Sequence, residues 1–279
     1  MDAASGDAPL ASFEAKWSDA HPEFRLALTF VPSPLRAPYG AFACIGYEIE
    51  HAAFGIREAQ PAAMKLQWWA EELARLRDGA ARHPLTRALA GLPGIAALAP
   101  APWHEVVVGA FAQRDPEPAA DARALFAAYD ALYRPLAAVE ARLFALDGAA
   151  LARARALGRA VRETATLADA LRDGRLPLPL DLLARHRLAR GDLARESPAQ
   201  TAALRDWLGV LHGEYVTLEA VGGGPGQAAA ASADRWRVKT AAAADDPLAA
   251  LQAAMTRLPL RASWAAWRAG RRFARRANP

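Results

Sequence analysis

The chain has 279 residues, 53% hydrophobic and 23% charged, with a net charge of +4, which is apolar material enough for a sizeable core and excludes a disordered chain. A single cysteine, Cys44, excludes an internal disulfide, and its setting in AFACIGY predicts a buried small side chain rather than a nucleophile. Only three of the 34 basic residues are lysines, and the basic residues are not organised over an extended face, so no nucleic acid partner is expected.

Alanine, the best helix former, dominates the apolar fraction, and alternating Val, Ile and Thr are nearly absent, so the chain is expected to be mostly helical. Residues 1–15 read as an N-terminal tail and 16–279 as one domain. FEAKWSDAHPEFRLALTF begins helical, a proline-punctuated turn follows at residues 31–34, and a new helix starts near 35–38 and runs through CIGYEIEHAAFGIRE. Residues 62–77 are amphipathic, with Met64, Trp68, Leu73 and Leu76 near one stripe, and a short helix opens after Pro84. Pro100 and Pro102 break the chain, and HEVVVGAFAQ reads as a buried helix. Helices are expected at 121–144, 148–172 and 199–218. VGGGPGQAAAASAD, residues 221–234, lacks the Gly-Lys-Ser/Thr ending of a phosphate loop and reads as a flexible break. Asp246-Pro247 opens one more helix, and LPLRASWAAWRAGRRFARR forms the last. No charge-free apolar window of about eighteen residues occurs, and the first residues lack a basic, then apolar, leader pattern, so a cytoplasmic protein is expected.

Chemistry concentrates at ETATLADALRDGRLPLP. On a helix Asp169 and Asp173 share a face and repel by about 0.2–0.5 kcal/mol, and Asp173 sits at a helix C-terminus, where the macrodipole disfavours an anion by roughly 0.3–1 kcal/mol. Either Mg²⁺ bridging the carboxylates to a diphosphate offsets this, or Arg172 and Arg175 screen the pair and Asp-Gly is an ordinary turn. Glu48, Glu50 and His51 form a second polar group, of which adjacent positions face apart, so at most two converge. No His-Glu-x-x-His or serine-elbow pattern supports hydrolysis.

Five segments occur in a meaningful order: VPSPLRAPYGAFACIGYEIE, KLQWWAEEL, VVVGAFAQRDPEP, ALFAAYDALYRPLAAVEARLFAL and ALGRAVRETATLADALRDGRLPLPLDLLARHRL. Together they resemble the squalene/phytoene synthase family over most of residues 20–190, most specifically in KLQWW and GRLPLPLDLLARHRL. The resemblance implies an all-α isoprenoid (terpenoid) synthase fold, a single helical bundle around a central cavity. In active members, Mg²⁺ held by two aspartate motifs on facing helices ionises an allylic diphosphate, because clustered metal ions stabilise the charge of the leaving group.

Carried over residue by residue, the motif implies Glu50, Asp169 and Asp173 as catalytic and metal-binding positions if the protein is active, with Glu48 as a further ligand. Arg36, Lys65, Trp68 and Arg175 are the implied substrate-binding residues. The pattern departs from the family at the first motif, where Glu50 stands for the first Asp and Phe54 stands near the second. At the second motif the spacer before Gly-Arg is missing and Arg162-Glu163-Thr164-Ala165 replaces Gln-Leu-Thr-Asn. These departures resemble the branch that includes respiratory complex I assembly factors.

The leading expectation is a squalene/phytoene synthase-like protein that binds a prenyl diphosphate or acts as a non-catalytic assembly factor. Two others stand beside it: an active Mg²⁺-dependent prenyltransferase joining two prenyl diphosphates head to head, and a scaffold peripheral at a membrane. The last follows from the C-terminal helix, where Trp264, Trp267, Arg271 and Arg272 combine aromatic anchors with positive charge.

Overall fold

The computed structural model describes residues 7–98, 100–218 and 223–277, and every regular element among them is helical. In chain order these are α1 (Asp7–Ala20), α2 (Pro22–Leu28), α3 (Ser33–Glu50), a π-helical turn (His51–Gly55), α4 (Ala59–Ala74), α5 (Pro84–Ala90), α6 (Pro100–Ala112), α7 (Ala122–Phe144), α8 (Gly148–Ala165), α9 (Leu167–Arg172), α10 (Leu180–Arg185), a 3₁₀ turn (Arg190–Ala194), α11 (Pro198–Thr217), α12 (Pro225–Ala242), α13 (Pro247–Met255) and α14 (Leu260–Ala277). None is long and apolar enough to cross a membrane.

The starts are chemically ordinary. Asp121, Asp147, Ser197 and Asp246 each accept a hydrogen bond from a first-turn N–H of α7, α8, α11 and α13, satisfying one orphan donor apiece. Pro100 and Pro102 do not break the chain; they occupy the first turn of α6, where a missing N–H costs nothing. α7 and α8 form an antiparallel hairpin, and α6 lies against α7 so closely that a Cβ on Gly109 would sit 2.0 Å from the Ala131 carbonyl oxygen.

α12 runs through the bundle, packed by α2, α8, α11, α13 and α14. It corrects the expected flexible break at 221–234: from Pro225 onward that stretch is helix, and 221–222 lie outside the described residues. Its alanines are small enough to admit five neighbouring helices, and a Cβ on Gly226 would lie 2.4 Å from the Phe24 ring. The composition that suggested a linker is in fact a close-packing surface. The expected tail at 1–15 is likewise helical from Asp7, because α1 is anchored by Trp17, which is buried edge-on against Phe24 at 5.5 Å.

Two periodicities also resolve differently. The buried stripe of the 62–77 segment is Ala62, Leu66, Trp69, Leu73 and Leu76, whereas Met64 and Trp68 are 64% and 41% exposed. The expected helix over 148–172 divides at Thr166, at φ −105° and ψ 35°. Thr164 and Thr166 hydroxyls donate back to the carbonyls of Ala160 and Arg162 at 2.7 and 3.0 Å, a contact that loosens the helical ladder.

Candidate functional site

The end of α3 presents two carboxylates to opposite surroundings. Glu48 accepts from Lys16 at 3.0 Å and Lys65 at 2.5 Å; burial works against its ionisation, but the two ammonium groups outweigh it and hold the carboxyl below its ordinary range. Glu50 turns the other way and meets Arg162 at 3.4 Å and Arg155 at 3.9 Å. His51, next in line, stays near the lysine side, where burial, Lys65 and Lys16 lower its pKa. The three groups therefore do not converge.

The π-helical turn that follows is closed by Ile56 N–H donating to the His51 carbonyl at 3.1 Å. Its orphan carbonyls are met by Arg114, which donates to Ala52, Ala53, Ile56 and Arg57. The turn points Phe54 inward, under the Arg159 guanidinium at 3.8 Å with Arg175 at 6.0 Å, a cation–π arrangement.

Arg155, Arg159 and Arg162 stand at i, i+4 and i+7 on α8 and so share one face. Arg155 donates to Glu140 at 2.7 Å, and Arg159 to Glu163 at 2.9 Å. Glu163 also accepts from Tyr129 at 2.5 Å and Arg175 at 3.0 Å. Burial raises the Glu163 pKa, but Arg159, Tyr129 and Arg175 win and hold it low; the same burial and the Glu163 charge push Tyr129 well up. The middle of the bundle is thus a network of guanidinium–carboxylate pairs.

The implied substrate residues are dispersed. Arg36 donates to the Leu28 and Val31 carbonyls at 3.1 and 3.3 Å and so ties down the α2–α3 turn. Lys65 is held by Glu48, and Trp68 leans outward on Trp69 and His83. Only Arg175 reaches the central network. Asp169 is 53% exposed and paired with Arg172, while Asp173 meets Arg57 at 2.8 Å and Arg175 at 3.6 Å just before Gly174, whose φ of +81° makes a left-handed turn. Arg172 and Arg175 thus each face one of the two carboxylates. Among the described residues, neither aspartate lines the small cavity beside Glu50.

The residues present do not fit a Mg²⁺ cluster. Each candidate carboxylate already faces an arginine or lysine, the second position of the first motif is an aromatic ring under a guanidinium, and among the described residues no three metal-holding side chains come together. Hard cations need several oxygen ligands free of competing charge.

The network was missed in the sequence because arginines on a helix read as solvated. The available signal was their i, i+4, i+7 spacing along the same helix as buried Leu157 and Val161. Beside Glu50, Arg155 and Arg162 about 30 Å³ of open space remains. A second cavity, about 700 Å³, lies between α8, α11, α12 and α14 and includes Trp264 and Arg272 in its lining. Trp267 and Arg271 instead stack on each other at 5.2 Å, outside it.

The family model for squalene/phytoene synthases matches residues 18–268. Among solved structures, a dehydrosqualene synthase, crystallised in complex with a ligand, is similar with a TM-score of 0.65 and 14% identity, over 84% of this chain and 86% of that one. Squalene synthase HpnC from Alicyclobacillus acidocaldarius is similar with a TM-score of 0.63 and 18% identity, over 88% of this chain and 92% of that one. Among curated proteins nothing matches.

Proposed function

The chain belongs to the squalene/phytoene synthase family, and on that premise we propose that it is a member with degenerate aspartate motifs that binds a prenyl diphosphate without condensing it. The observation that carries this reading is the pairing of Glu50, Glu140 and Glu163 with Arg155, Arg159, Arg162 and Arg175. Head-to-head condensation needs charge stabilisation where diphosphate leaves, and in this family clustered divalent ions supply it. Fixed guanidinium groups beside Glu50 and Glu163 support the reading, since each is engaged in an ion pair, with Arg159 and Arg175 sharing Glu163 and Arg175 also meeting Asp173. Freeing one carboxylate for a metal would leave a buried arginine unpaired, at a cost of about 3–5 kcal/mol.

The test is direct. Purified protein is given farnesyl diphosphate with Mg²⁺, and then with EDTA, while heat of binding, released diphosphate and hydrocarbon products are followed. Binding in both conditions with no C30 product is the expected result. A C30 product that disappears in Asp169→Ala overturns the proposal in favour of an active prenyltransferase.

A second reading, a scaffold at a membrane surface, is favoured by the exposure of Leu260 at 89%, Trp264 at 58% and Trp267 at 40% among the arginines of α14. Co-flotation with anionic vesicles that is lost in Trp264→Ser/Trp267→Ser supports it, and absence of flotation by the wild type removes it.

A further inference from the structure

The larger cavity has the opposite electrostatic character from the centre. Its walls are apolar where Leu151 and Ala154 of α8 face Ala231 of α12. Its rim carries Arg235 and Lys239 from α12 and Arg261, Arg268 and Arg272 from α14, and among the described residues no carboxylate lines it. The helix pattern explains the placement. Ala262, Ala266, Ala269 and Phe273 form the buried stripe of α14, while Arg261, Trp264, Arg268 and Arg272, at i, i+3, i+7 and i+11, form the adjoining stripe beside the opening.

Among the described residues, Lys239, Arg261 and Arg272 have no ion-pair partner, and Arg268 rests on the Trp264 ring at 4.5 Å. Lys239, Arg261, Arg268 and Arg272 gather around one opening and repel one another, and among the described residues no carboxylate of the lining offsets these four, whereas each central guanidinium of α8 has its carboxylate. An anion at the rim would relieve that repulsion. A volume of about 700 Å³ with apolar walls and a few convergent polar groups falls within the roughly 300–1,000 Å³ of ordinary ligand sites.

We propose that this cavity seats a phosphate-bearing amphiphile, its chain along Leu151, Ala154 and Ala231 and its phosphate at Lys239, Arg268 and Arg272. The proposal rests on the reading that the protein binds a prenyl diphosphate, and it places the seat on the α12–α14 side. Two sources share this chemistry, a soluble prenyl diphosphate and the headgroup of an anionic phospholipid, and the experiment separates them.

Full-length protein in EDTA is titrated calorimetrically with farnesyl diphosphate, with farnesol as the phosphate-free control, and separately with phosphatidylglycerol vesicles. The same titrations are run on Lys239→Ala/Arg268→Ala, which alters exposed side chains only, and on Ala231→Trp, which fills the cavity; circular dichroism checks that both fold. Farnesyl diphosphate binding at least tenfold weaker in both variants, and far weaker for farnesol, supports the cavity with a prenyl diphosphate in it. Vesicle binding lost in both variants, without farnesyl diphosphate binding by the wild type, supports the cavity with a lipid headgroup and overturns the prenyl diphosphate reading. Farnesyl diphosphate binding that both variants retain within twofold overturns the cavity proposal and leaves that reading intact. No binding of either ligand by the wild type overturns both.

Discussion

Breaking the Arg155–Glu140 pair probes the central network where it is driest. Arg155 Nη2 lies 2.7 Å from Glu140 Oε2, the side chains are 8% and 2% exposed, and Glu50 is the next carboxylate, 3.9 Å from Nη1. Glu140→Leu would leave the buried guanidinium with that longer ion pair and with the neutral Gln227 amide oxygen, which accepts from Nη2 at 3.1 Å and from Nε at 3.3 Å. Removing one partner of a buried pair costs about 3–5 kcal/mol, and the Glu50 contact places the expected loss near the lower end, about 3 kcal/mol. Arg155→Met should cost a similar amount, since it orphans Glu140. Replacing both removes the charges together with their desolvation penalty, so the double variant should lie within about 1 kcal/mol of the wild type or exceed it. Urea unfolding followed by far-ultraviolet circular dichroism measures all four proteins, and a 3 kcal/mol loss lowers the midpoint by about 1 M at a slope of about 3 kcal/mol/M. Single variants costing less than about 1 kcal/mol, or a double variant as unstable as the worse single, would refute the reasoning.

Acid should unfold the protein between pH 4.5 and 2. Burial opposes ionisation of Glu23, but His21 and Arg237 hold its pKa down from the ordinary 4.5 to about 2, and Glu48 and Glu163 are also lowered. Folded values below unfolded ones mean that this stability is complete above the unfolded pKa and is lost as pH falls through the folded one. Asp234, raised by burial against the pull of Arg237, has the opposite sign and softens the loss; ellipticity flat to pH 2 would contradict the assignment. Gly226→Ala should cost about 1–3 kcal/mol, read as a drop in melting temperature, because the new Cβ would meet the Phe24 ring at 2.4 Å; an unchanged melt would show that Phe24 yields freely. Asp169→Ala should change stability by less than about 0.5 kcal/mol, the side chain being 53% exposed. Millimolar Mg²⁺ should leave the wild-type melt unmoved, since a metal bound only by the folded state would raise it. A Mg²⁺-dependent rise that Asp169→Ala removes would re-establish a metal site.

Much of the architecture was legible because it depends on local rules. Proline near the helix start marked α3, α5 and α13, and the order of KLQWW and GRLPLPLDLLARHRL carried the family. Elements misread were those where a local signal had two physical meanings. A glycine- and alanine-rich stretch is a linker if solvated and a close-packing helix if surrounded, and only the neighbours of α12 choose between them. Trp68 and Trp69 are equally apolar, and the packing of α4 against α6 decided that Trp69 is buried and Trp68 faces out.

For the site, the residue sequence by itself determined what was missing: Phe54 cannot ligate a metal wherever it points, and the spacer before Gly174 is short. It also determined that Asp169 and Asp173 end a helix before a glycine. What only the tertiary structure decided is which charges meet. Whether an arginine on a helix is solvated or neutralises a carboxylate depends on the face it shares with distant elements. Glu50 and Arg162 are 112 positions apart, a pairing that no local pattern encodes. Among the described residues, the same long-range geometry left the basic stripe of α14 without an ion-pair partner while giving each central arginine of α8 its own. Charge pairing is set by distance in space, and that distance is fixed only when the helices pack.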